Sequence, residues 1–348
     1  MKKSLLAMAA LLAAGSALAQ SSVTIYGRVD LSVGSIKDDG TGAGANKGKN
    51  INQMFHGGQG GLTTSRWGLR GTEDLGGGLK AAFQLENRFN PDTGASQDPF
   101  FRGEASLSLI GGFGQLKLGR STTVYDDMRA LGQSRDVFDS AFTASSNGVF
   151  ARGGDYSSRW DNKISYYSPD LGGFYVGVDH ALNEKTGTDV RDGYALKVGY
   201  ATKVLNVGLG YQDEKRRTTN NNITTITRSD KYTVLAARYD FGAFALSGMV
   251  NWRDGGQPAN GDDEEYSIGV QVPMDAWTFS AGLASAKTKK ATTAGNNGKA
   301  SGFALGVTYS LSKRTRLYAG YRDVEVKNNV GIKTKDERLY AIGVRHDF

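Results

Sequence analysis

The sequence predicts an all-β fold, a sixteen-stranded antiparallel transmembrane β-barrel. The last segment, 338–348, alternates large apolar side chains with small or charged ones and ends on Phe348. A strand with one apolar face normally packs under another element, so a membrane-length strand that ends the chain favours a barrel sealed at its C-terminus. Segments with the same alternation recur throughout, and the connections between them are alternately short and long.

Residues 1–19 predict a secretory signal peptide. A positively charged start precedes a run of mostly Ala and Leu, and A-L-A at 17–19 fits the small-residue pattern of a cleavage site. The run is too short for a stable membrane helix, and it is apolar on all sides, unlike a buried amphipathic helix. We expect residues 20–348 to form a single barrel domain, because each strand needs its neighbours to pair its backbone groups.

Composition narrows the class of protein further. The net charge of +7 falls to +5 when residues 1–19 are removed with their two lysines, and no basic run is dense enough to indicate nucleic acid binding. Cysteine is absent, which excludes disulfides, thiol nucleophiles and cysteine metal sites. Mean hydropathy is −0.41, and no mature segment reaches about 18 apolar residues, so transmembrane helices are not expected. A barrel tolerates this average because its lumen and loops are polar.

The candidate strands are segments of about ten residues in which alternate side chains share a face. In the first of them, Val23 and Ile25 fall on the apolar face, and Thr24 and Tyr26 on the other. Several strands carry an aromatic residue near one end of the apolar face, where an interfacial girdle would lie. The sixteen candidates are 23–33, 64–72, 79–89, 101–111, 114–121, 162–168, 174–183, 193–202, 205–214, 230–241, 244–254, 264–273, 277–288, 301–312, 315–326 and 338–348.

The connections between these strands alternate in length. Short turns on one rim and long loops on the other are typical of an outer-membrane barrel, and an even number of strands places both termini at the short-turn rim. The short connections are 74–78, 111–113, 170–173, 203–204, 242–243, 275–276 and 313–314, and the long ones are 34–63, 90–100, 122–161, 184–192, 215–229, 255–263, 289–300 and 327–337.

The third long connection, 122–161, is the longest and is rich in aromatic and charged residues. Loops of such length in compact domains are usually functional, and one with several aromatic side chains is not expected to extend into solvent. A sixteen-stranded barrel encloses an aqueous lumen, so we expect this loop to fold inward and narrow it. The alternative is an ordinary external loop with solvated charges. Its candidate acidic residues are Asp126, Asp127, Asp136 and Asp139.

Arginines recur on the predicted lumen face of the early strands. Arg66 and Arg70 alternate with Trp67 and Leu69, and Arg88 has the lumen parity in the next strand. Taken singly, each is an ordinary solvated residue, but their shared face indicates a cationic wall. Such a wall opposite loop carboxylates would set a transverse field across the narrowest point and filter ions by sign. The excess of base favours anions, unless the aspartates cancel it.

Enzymatic interpretations are weakly supported. The three histidines, His56, His180 and His346, have no Ser or Asp at the spacing of a nucleophile elbow, although the members of a catalytic triad need not be adjacent in sequence. The segment 295–300 resembles the end of a phosphate loop but lacks its first Gly and its final Ser or Thr. The acidic run 262–265 is interpreted as a solvated loop end rather than a cation site. We therefore expect no catalytic residue, no cofactor and no metal.

Six segments of the mature chain resemble the general porins of β-proteobacteria. The stretch from Thr72 to Lys80 is specific, and the resemblance covers essentially the whole mature chain. The segments are SVTIYGRVD at 22–30, SRWGLRGTEDLGGGLK at 65–80, GFGQLKLGR at 112–120, NKISYYSP at 162–169, LSKRT at 311–315 and GVRHDF at 343–348.

The resemblance implies a homotrimer of sixteen-stranded barrels, each with its own pore, and a third external loop that folds inward, which matches 122–161. It also implies that Arg66 and Arg159 line the constriction. A third arginine of the family aligns with Gly103, and Arg102 is displaced by one residue, which turns a side chain to the other face of a regular strand. Together with the face parity, this gives a candidate positive wall of Arg66, Arg70, Arg88, Arg102 and Arg159.

The function that the resemblance implies is passive diffusion of small hydrophilic solutes and ions through a water-filled channel of the bacterial outer membrane, with a weak preference for anions. The expected partners are two further copies of the chain, outer-membrane lipid and the membrane assembly machinery, which in this family reads the terminal aromatic, here Phe348. One alternative is a solute-specific channel on the same barrel, although the sequence lacks the aromatic stripe expected for sugars. The other is an outer-membrane hydrolase, which needs a polar catalytic group at the lipid-facing rim.

Overall fold

The computed structural model describes residues 22–42, 47–57, 60–133, 142–146, 149–150, 156–182, 190–220, 223–256, 261–292 and 298–348. Within these ranges the chain is mostly β-strand, with a single helix. None of this part of the chain forms a helix long and apolar enough to cross a membrane. The predicted signal peptide, 1–19, lies outside the described residues.

Sixteen of the strands pair antiparallel with their neighbours, and the last pairs with the first to close a barrel. The sixteen-stranded antiparallel barrel predicted from the sequence is confirmed. Two further short strands pair with the barrel strands. β2 pairs with residues 32–36 in the second half of β1, and β5 pairs with the last two residues of β4. The strands are β1 (Ser22–Asp38), β2 (Ile51–Phe55), β3 (Arg66–Gly76), β4 (Leu79–Asn90), β5 (Ala95–Ser96), β6 (Glu104–Gly111), β7 (Gly114–Thr122), β8 (Arg159–Tyr167), β9 (Phe174–Ala181), β10 (Val190–Ala201), β11 (Leu205–Asn220), β12 (Ile223–Asp240), β13 (Ala245–Gly255), β14 (Asp262–Met274), β15 (Trp277–Lys289), β16 (Gly298–Ser310), β17 (Thr315–Asn328) and β18 (Lys333–Asp347).

The two faces of the strands separate as the alternation predicts. In β1, Val23 and Ile25 are 62% and 67% exposed on the outer surface, whereas Asp30 on the opposite face is fully buried. In β12, Leu235 faces outward and Val234 is buried. The outer surface is thus an apolar band of the kind that lipid covers, and the polar residues line the lumen.

The hairpin of β11 and β12 is longer than the sequence pattern indicates. Segment 215–229 has no apolar face, which predicts a loop. Backbone pairing nevertheless continues through it, with Thr218 opposite Thr225 and Asn220 opposite Ile223. An apolar face is required only inside lipid, because a strand beyond the membrane is solvated on both faces. Polarity therefore shows where a strand leaves the membrane and not where it ends.

The third long connection begins with a ten-residue helix, α1 (Val124–Gln133), although the sequence pattern predicts no regular structure in this loop. Thr123 caps the helix, since its hydroxyl accepts a hydrogen bond from the Asp126 N–H at 3.2 Å. Acidic residues occupy the first turn, where the helix dipole favours negative charge. Val124 and Met128 are buried at helical spacing. Because the apolar face of the helix is short and the surrounding segment is polar, the residue pattern does not reveal the helix.

The barrel closes where the C-terminal strand meets β1, as predicted. Arg28 lies opposite Asp347 in the register. The N–H of Phe348 donates to the Gly27 carbonyl and the N–H of Gly27 donates to the Phe348 carbonyl, each at 3.0 Å. The Phe348 ring lies over Gly27, where an added Cβ would collide with the ring. The terminal residue therefore completes the seam with both its backbone and its side chain.

Deleting Phe348 is expected to lower the yield of assembled barrel, because the seam loses two backbone hydrogen bonds and the ring packed on Gly27. The yield can be measured on gels as the fraction that changes mobility only after heating. Phe348→Tyr keeps the ring and serves as the control. An unchanged yield in the deletion variant would contradict this role.

Candidate functional site

The third long connection folds into the barrel and lies on its inner wall, which confirms the inward-folded loop. We call its described part, within residues 123–158, the inner loop. The Tyr125 hydroxyl donates to Asn251 Oδ1 on β13 at 2.5 Å. Lys197 Nζ on β10 donates to Asp127 Oδ2 at 2.6 Å. These contacts hold α1 flat against the wall formed by β9 to β14.

The start of the inner loop is held by a buried ion pair between β8 and β9. Lys163 Nζ lies 3.1 Å from Asp179 Oδ2, and both side chains are 0% exposed. The same carboxylate oxygen accepts a hydrogen bond from the Val124 N–H at 2.7 Å. Lys163 also donates to the Thr122 carbonyl at 2.5 Å. The pair therefore joins two strands to the point where the chain leaves β7 and enters α1.

The far end of the inner loop reaches the wall formed by β16 and β17. The rings of Phe142 and Tyr318 are 6.4 Å apart at their centroids. Gly320 and Gly302 allow this approach, because a Cβ at the first would meet the Phe142 ring and one at the second the Ala144 carbonyl. The described part of the loop thus covers the inner faces of β9 to β14, β16 and β17.

Three of the predicted arginines lie close together around Glu86 of β4. Arg66 and Arg88 lie across from each other on β3 and β4. Both approach the Glu86 carboxylate, Arg66 Nη1 at 3.6 Å and Arg88 Nε at 3.3 Å from Oε1. Arg159, the first residue of β8, donates from Nε to the Gly103 carbonyl at 2.9 Å. The charge of Arg159 is close enough to interact with those of Glu86 and Arg66. We call Arg66, Arg88 and Arg159 the arginine cluster.

Glu86 is a member of this site to which the sequence pattern assigns no role, although its parity places it in the lumen. Its carboxylate also accepts a hydrogen bond from the Tyr26 hydroxyl at 3.3 Å. Glu86 fills the space beside Gly103, where a Cβ would collide with its side chain. The position that aligns with a family arginine is therefore occupied by a carboxylate from β4. Glu86 reaches Gly103 because β4 and β6 pair in a register that sets Glu86 opposite Glu104, the residue that follows Gly103.

The other two candidate arginines lie elsewhere. Arg70 is placed over the Tyr26 ring, 5.1 Å from its centroid, on the short-turn side of the arginine cluster. Arg102 is exposed and donates from Nη1 to the Asp98 carbonyl at 2.6 Å, within the second long connection. Its contacts are thus with that connection, whereas Gly103 faces Glu86. Because Arg102 precedes Gly103 by one residue, its side chain does not occupy the inward-facing position that Gly103 holds.

Two of the four candidate acidic residues, Asp126 and Asp127, lie in the described part of the inner loop, and both contact neighbouring side chains. Asp126 accepts a short hydrogen bond from the Tyr156 hydroxyl, and its charge interacts with that of Arg159. Burial raises the pKa of the Asp126 carboxyl above its ordinary value. Asp127 forms the ion pair with Lys197 described above. Asp136 and Asp139 lie outside the described residues.

The histidines occupy three separate places. His180 stacks on Tyr194, with ring centroids 4.8 Å apart. His56 Nε2 lies 3.5 Å from Asp92, and His346 Nδ1 lies 2.8 Å from the Thr315 hydroxyl. No Ser-His-carboxylate arrangement follows from these contacts, and the geometry gives the hydrolase alternative no support among the described residues.

Comparison with known proteins identifies the family. A family model described as Gram-negative porin matches residues 5–329. The chain therefore belongs to the Gram-negative porin family. It is 34% identical to outer membrane porin protein 32 of Delftia acidovorans, over 99% of this chain and 95% of that protein. It is 32% identical to an outer membrane porin protein of Bordetella pertussis, over the full length of both.

Solved structures agree with this assignment. An anion-selective porin from Comamonas acidovorans superposes with a TM-score of 0.74 at 28% identity, covering 94% of this chain and 100% of that one. A trimer form of OmpT from Vibrio cholerae has a TM-score of 0.68 at 17% identity, covering 94% and 99% of the two chains, and indicates the shared fold alone. The chain is thus an outer-membrane porin, a channel protein and not an enzyme.

Proposed function

We propose that the pore of this porin is narrowed between the inner loop and the arginine cluster, and that small anions pass this constriction more readily than cations. The observation that carries the proposal is that Arg66 and Arg88 lie opposite each other on β3 and β4, around the barrel from the β12 wall on which α1 packs, and that Arg159 is close enough for its charge to interact with theirs. Guanidinium groups stay charged at any physiological pH, so each of these arginines carries a positive charge into the field that a passing ion meets. Small hydrophilic solutes and ions diffuse past them through water.

The balance of charge supports a weak rather than a strong preference. Glu86 lies among the arginines and offsets one of their charges. On the loop side, Lys197 offsets Asp127. Asp126 interacts with Arg159, which sets a field across the opening and not along it. The net excess of base is therefore small and sits on one side, as expected of a general filter that orients solutes without binding one of them tightly.

We further infer that the channel works as a homotrimer in outer-membrane lipid. The apolar outer band supports the lipid contact, and membership of the Gram-negative porin family, for which the resemblance implies trimers, supports the oligomeric state. Residues 1–19 would direct export and be removed, leaving 20–348 as one domain. Phe348, which completes the seam, would be read by the assembly machinery.

Bilayer recordings test the proposed function. Purified trimers in planar bilayers are expected to give stepwise conductance that grows with salt concentration, and a reversal potential in a KCl gradient with the sign of a modest chloride preference. The similarity to a porin described as anion-selective is consistent with that sign. A cation-selective reversal potential would overturn the assignment of the arginine cluster, and saturation by one sugar would favour the solute-specific alternative.

A further inference from the structure

Two lysines lie directly opposite each other on the outer surface of the barrel. Lys287 on β15 pairs in register with Lys299 on β16, on either side of the long connection 289–300. Both side chains are exposed and have the outward parity of Leu283 and Phe303, which lie four residues nearer the short turns. Like charges at directly opposite positions destabilise a sheet, so an anion bound between them would stabilise this one. We call Lys287 and Lys299 the lysine pair.

The carboxylates beside the lysine pair contact other lysines. Glu264 on β14 lies opposite the first lysine of the pair in the register, but its Oε1 accepts a hydrogen bond from Lys289 Nζ at 2.6 Å. On the other side, Glu325 of β17 contacts Lys327 and Lys333. In the part of the chain that the structure describes, neither member of the lysine pair lies within ion-pair distance of a carboxylate. The pair therefore keeps two positive charges that its neighbours do not balance.

The height of the lysine pair places it at the outer boundary of the apolar band. Trp277 and Tyr309, with ring centroids 4.6 Å apart, mark the boundary on the short-turn side. Ten residues separate Trp277 from Lys287, and ten separate Lys299 from Tyr309. Ten residues span about 34 Å along a strand, or roughly 26 Å along the axis of a barrel whose strands tilt by about 40°. The apolar band of an outer-membrane barrel is about 25 Å tall, so both ammonium groups reach the lipid headgroups.

The side chains between the lysine pair and the middle of the apolar band follow the chemistry of a lipid molecule. Ser285 lies opposite Ser301, and Leu283 lies opposite Phe303, with all four exposed on the outer face. From the outer boundary inward, the two strands thus present cations, then hydroxyl groups, then apolar side chains, at steps of two residues. Phosphate, polar linkages and acyl chains follow in the same order in a phosphorylated glycolipid.

We propose that the lysine pair binds a phosphate of a phosphorylated glycolipid in the outer leaflet, with its acyl chains lying along Leu283 and Phe303. A phosphate monoester carries close to two negative charges at neutral pH, which balance the two ammonium groups, whereas the phosphodiester of an ordinary phospholipid carries only one. The inference rests on the proposed placement of the barrel in outer-membrane lipid with its long connections outward. It is independent of the ion preference of the pore.

Binding of diphosphorylated lipid A to the purified, delipidated protein tests the site, with the double variant Lys287→Gln and Lys299→Gln. Native mass spectrometry in detergent measures the dissociation constant of the tightest site. We expect the double variant to bind roughly 25-fold more weakly, since one lysine near an anionic lipid surface strengthens binding about fivefold. Lipid A without phosphates should bind the wild-type protein with a similar loss. Free inorganic phosphate should not displace the bound lipid, because it has no acyl chain to contact Leu283 and Phe303.

Lys203→Gln with Lys313→Gln is the matched control, because both lysines are exposed in short turns at the opposite rim. It removes the same two charges and should leave lipid A binding unchanged. Equal weakening in both double variants, or wild-type affinity in Lys287→Gln with Lys299→Gln, would overturn the site. Displacement by inorganic phosphate would show a site for the free ion and overturn the lipid assignment.

Conductance of the same samples keeps this inference separate from the proposed function. Stepwise conductance in KCl should be retained when the lysine pair is replaced, because its side chains lie on the outer surface and not in the lumen, and its retention confirms that the variant assembles. A wild-type protein without stepwise conductance would refute the proposed function, whatever its affinity for lipid A.

Discussion

Replacing Asp179 with alanine should detach the start of the inner loop and lower the free energy of unfolding by about 3–5 kcal/mol, the range for removing one partner of a buried ion pair. Lys163 would lose the carboxylate that balances its amine in a site that is 0% exposed. The Val124 N–H, which begins α1, would lose its acceptor. Thermal loss of the folded barrel on gels measures the stability, and the noise of the open channel reports the movement of the loop.

Two further variants separate the causes. Asp179→Asn keeps an oxygen for the Val124 N–H but removes the charge that balances Lys163. The double variant Lys163→Met with Asp179→Leu removes both charges and should recover much of the stability, since apolar pairs often replace buried ion pairs without loss. The helix start would still lack its acceptor, so the noise should persist. Wild-type stability together with a quiet channel in Asp179→Ala would show that the pair does not hold the loop.

The barrel was predictable because the residue pattern of a membrane strand indicates which side chains face lipid and which face the lumen. Val23 and Ile25 face lipid while Asp30 is buried on the lumen side, so a period of two residues separates inside from outside. The same parity placed Arg66 and Arg88 on the lumen face. Closure by the last strand followed from a single segment, because a terminal strand with an apolar face has only the first strand left to pair with.

The assembly of the site was not predictable in the same way, because it depends on register. Lys163 and Asp179 carry no local pattern that marks them as partners, and they meet only because β8 and β9 form a hairpin with the inner loop above it. Glu86 was visible on the lumen face, but its contact with two arginines requires the alignment of β3 with β4. Register between strands depends on turn geometry as well as on the hydrophobic pattern, and the side-chain alternation alone does not specify which residues lie opposite each other.

Replacing Arg66 and Arg159 together with alanine should turn the weak anion preference into a cation preference. The arginine cluster then keeps only Arg88 beside Glu86, with Asp126 across the opening. A unit charge about 4 Å from a passing ion acts on it with about 1 kcal/mol in bulk water and about 4 kcal/mol in a partly screened site. The loss of two such charges outweighs the small net positive charge of the constriction. The reversal potential in a KCl gradient is expected to change sign.

Two companion variants make the charge argument specific. Glu86→Gln removes the carboxylate that lies among the arginines and should move the reversal potential the other way, toward stronger anion selectivity. Arg102→Ala removes an exposed arginine that donates to the Asp98 carbonyl, and it should leave selectivity nearly unchanged. Equal shifts for Arg102→Ala and the double variant would mean that overall basicity sets the preference. An unchanged reversal potential in the double variant would show that the residues that select between ions lie away from the arginine cluster.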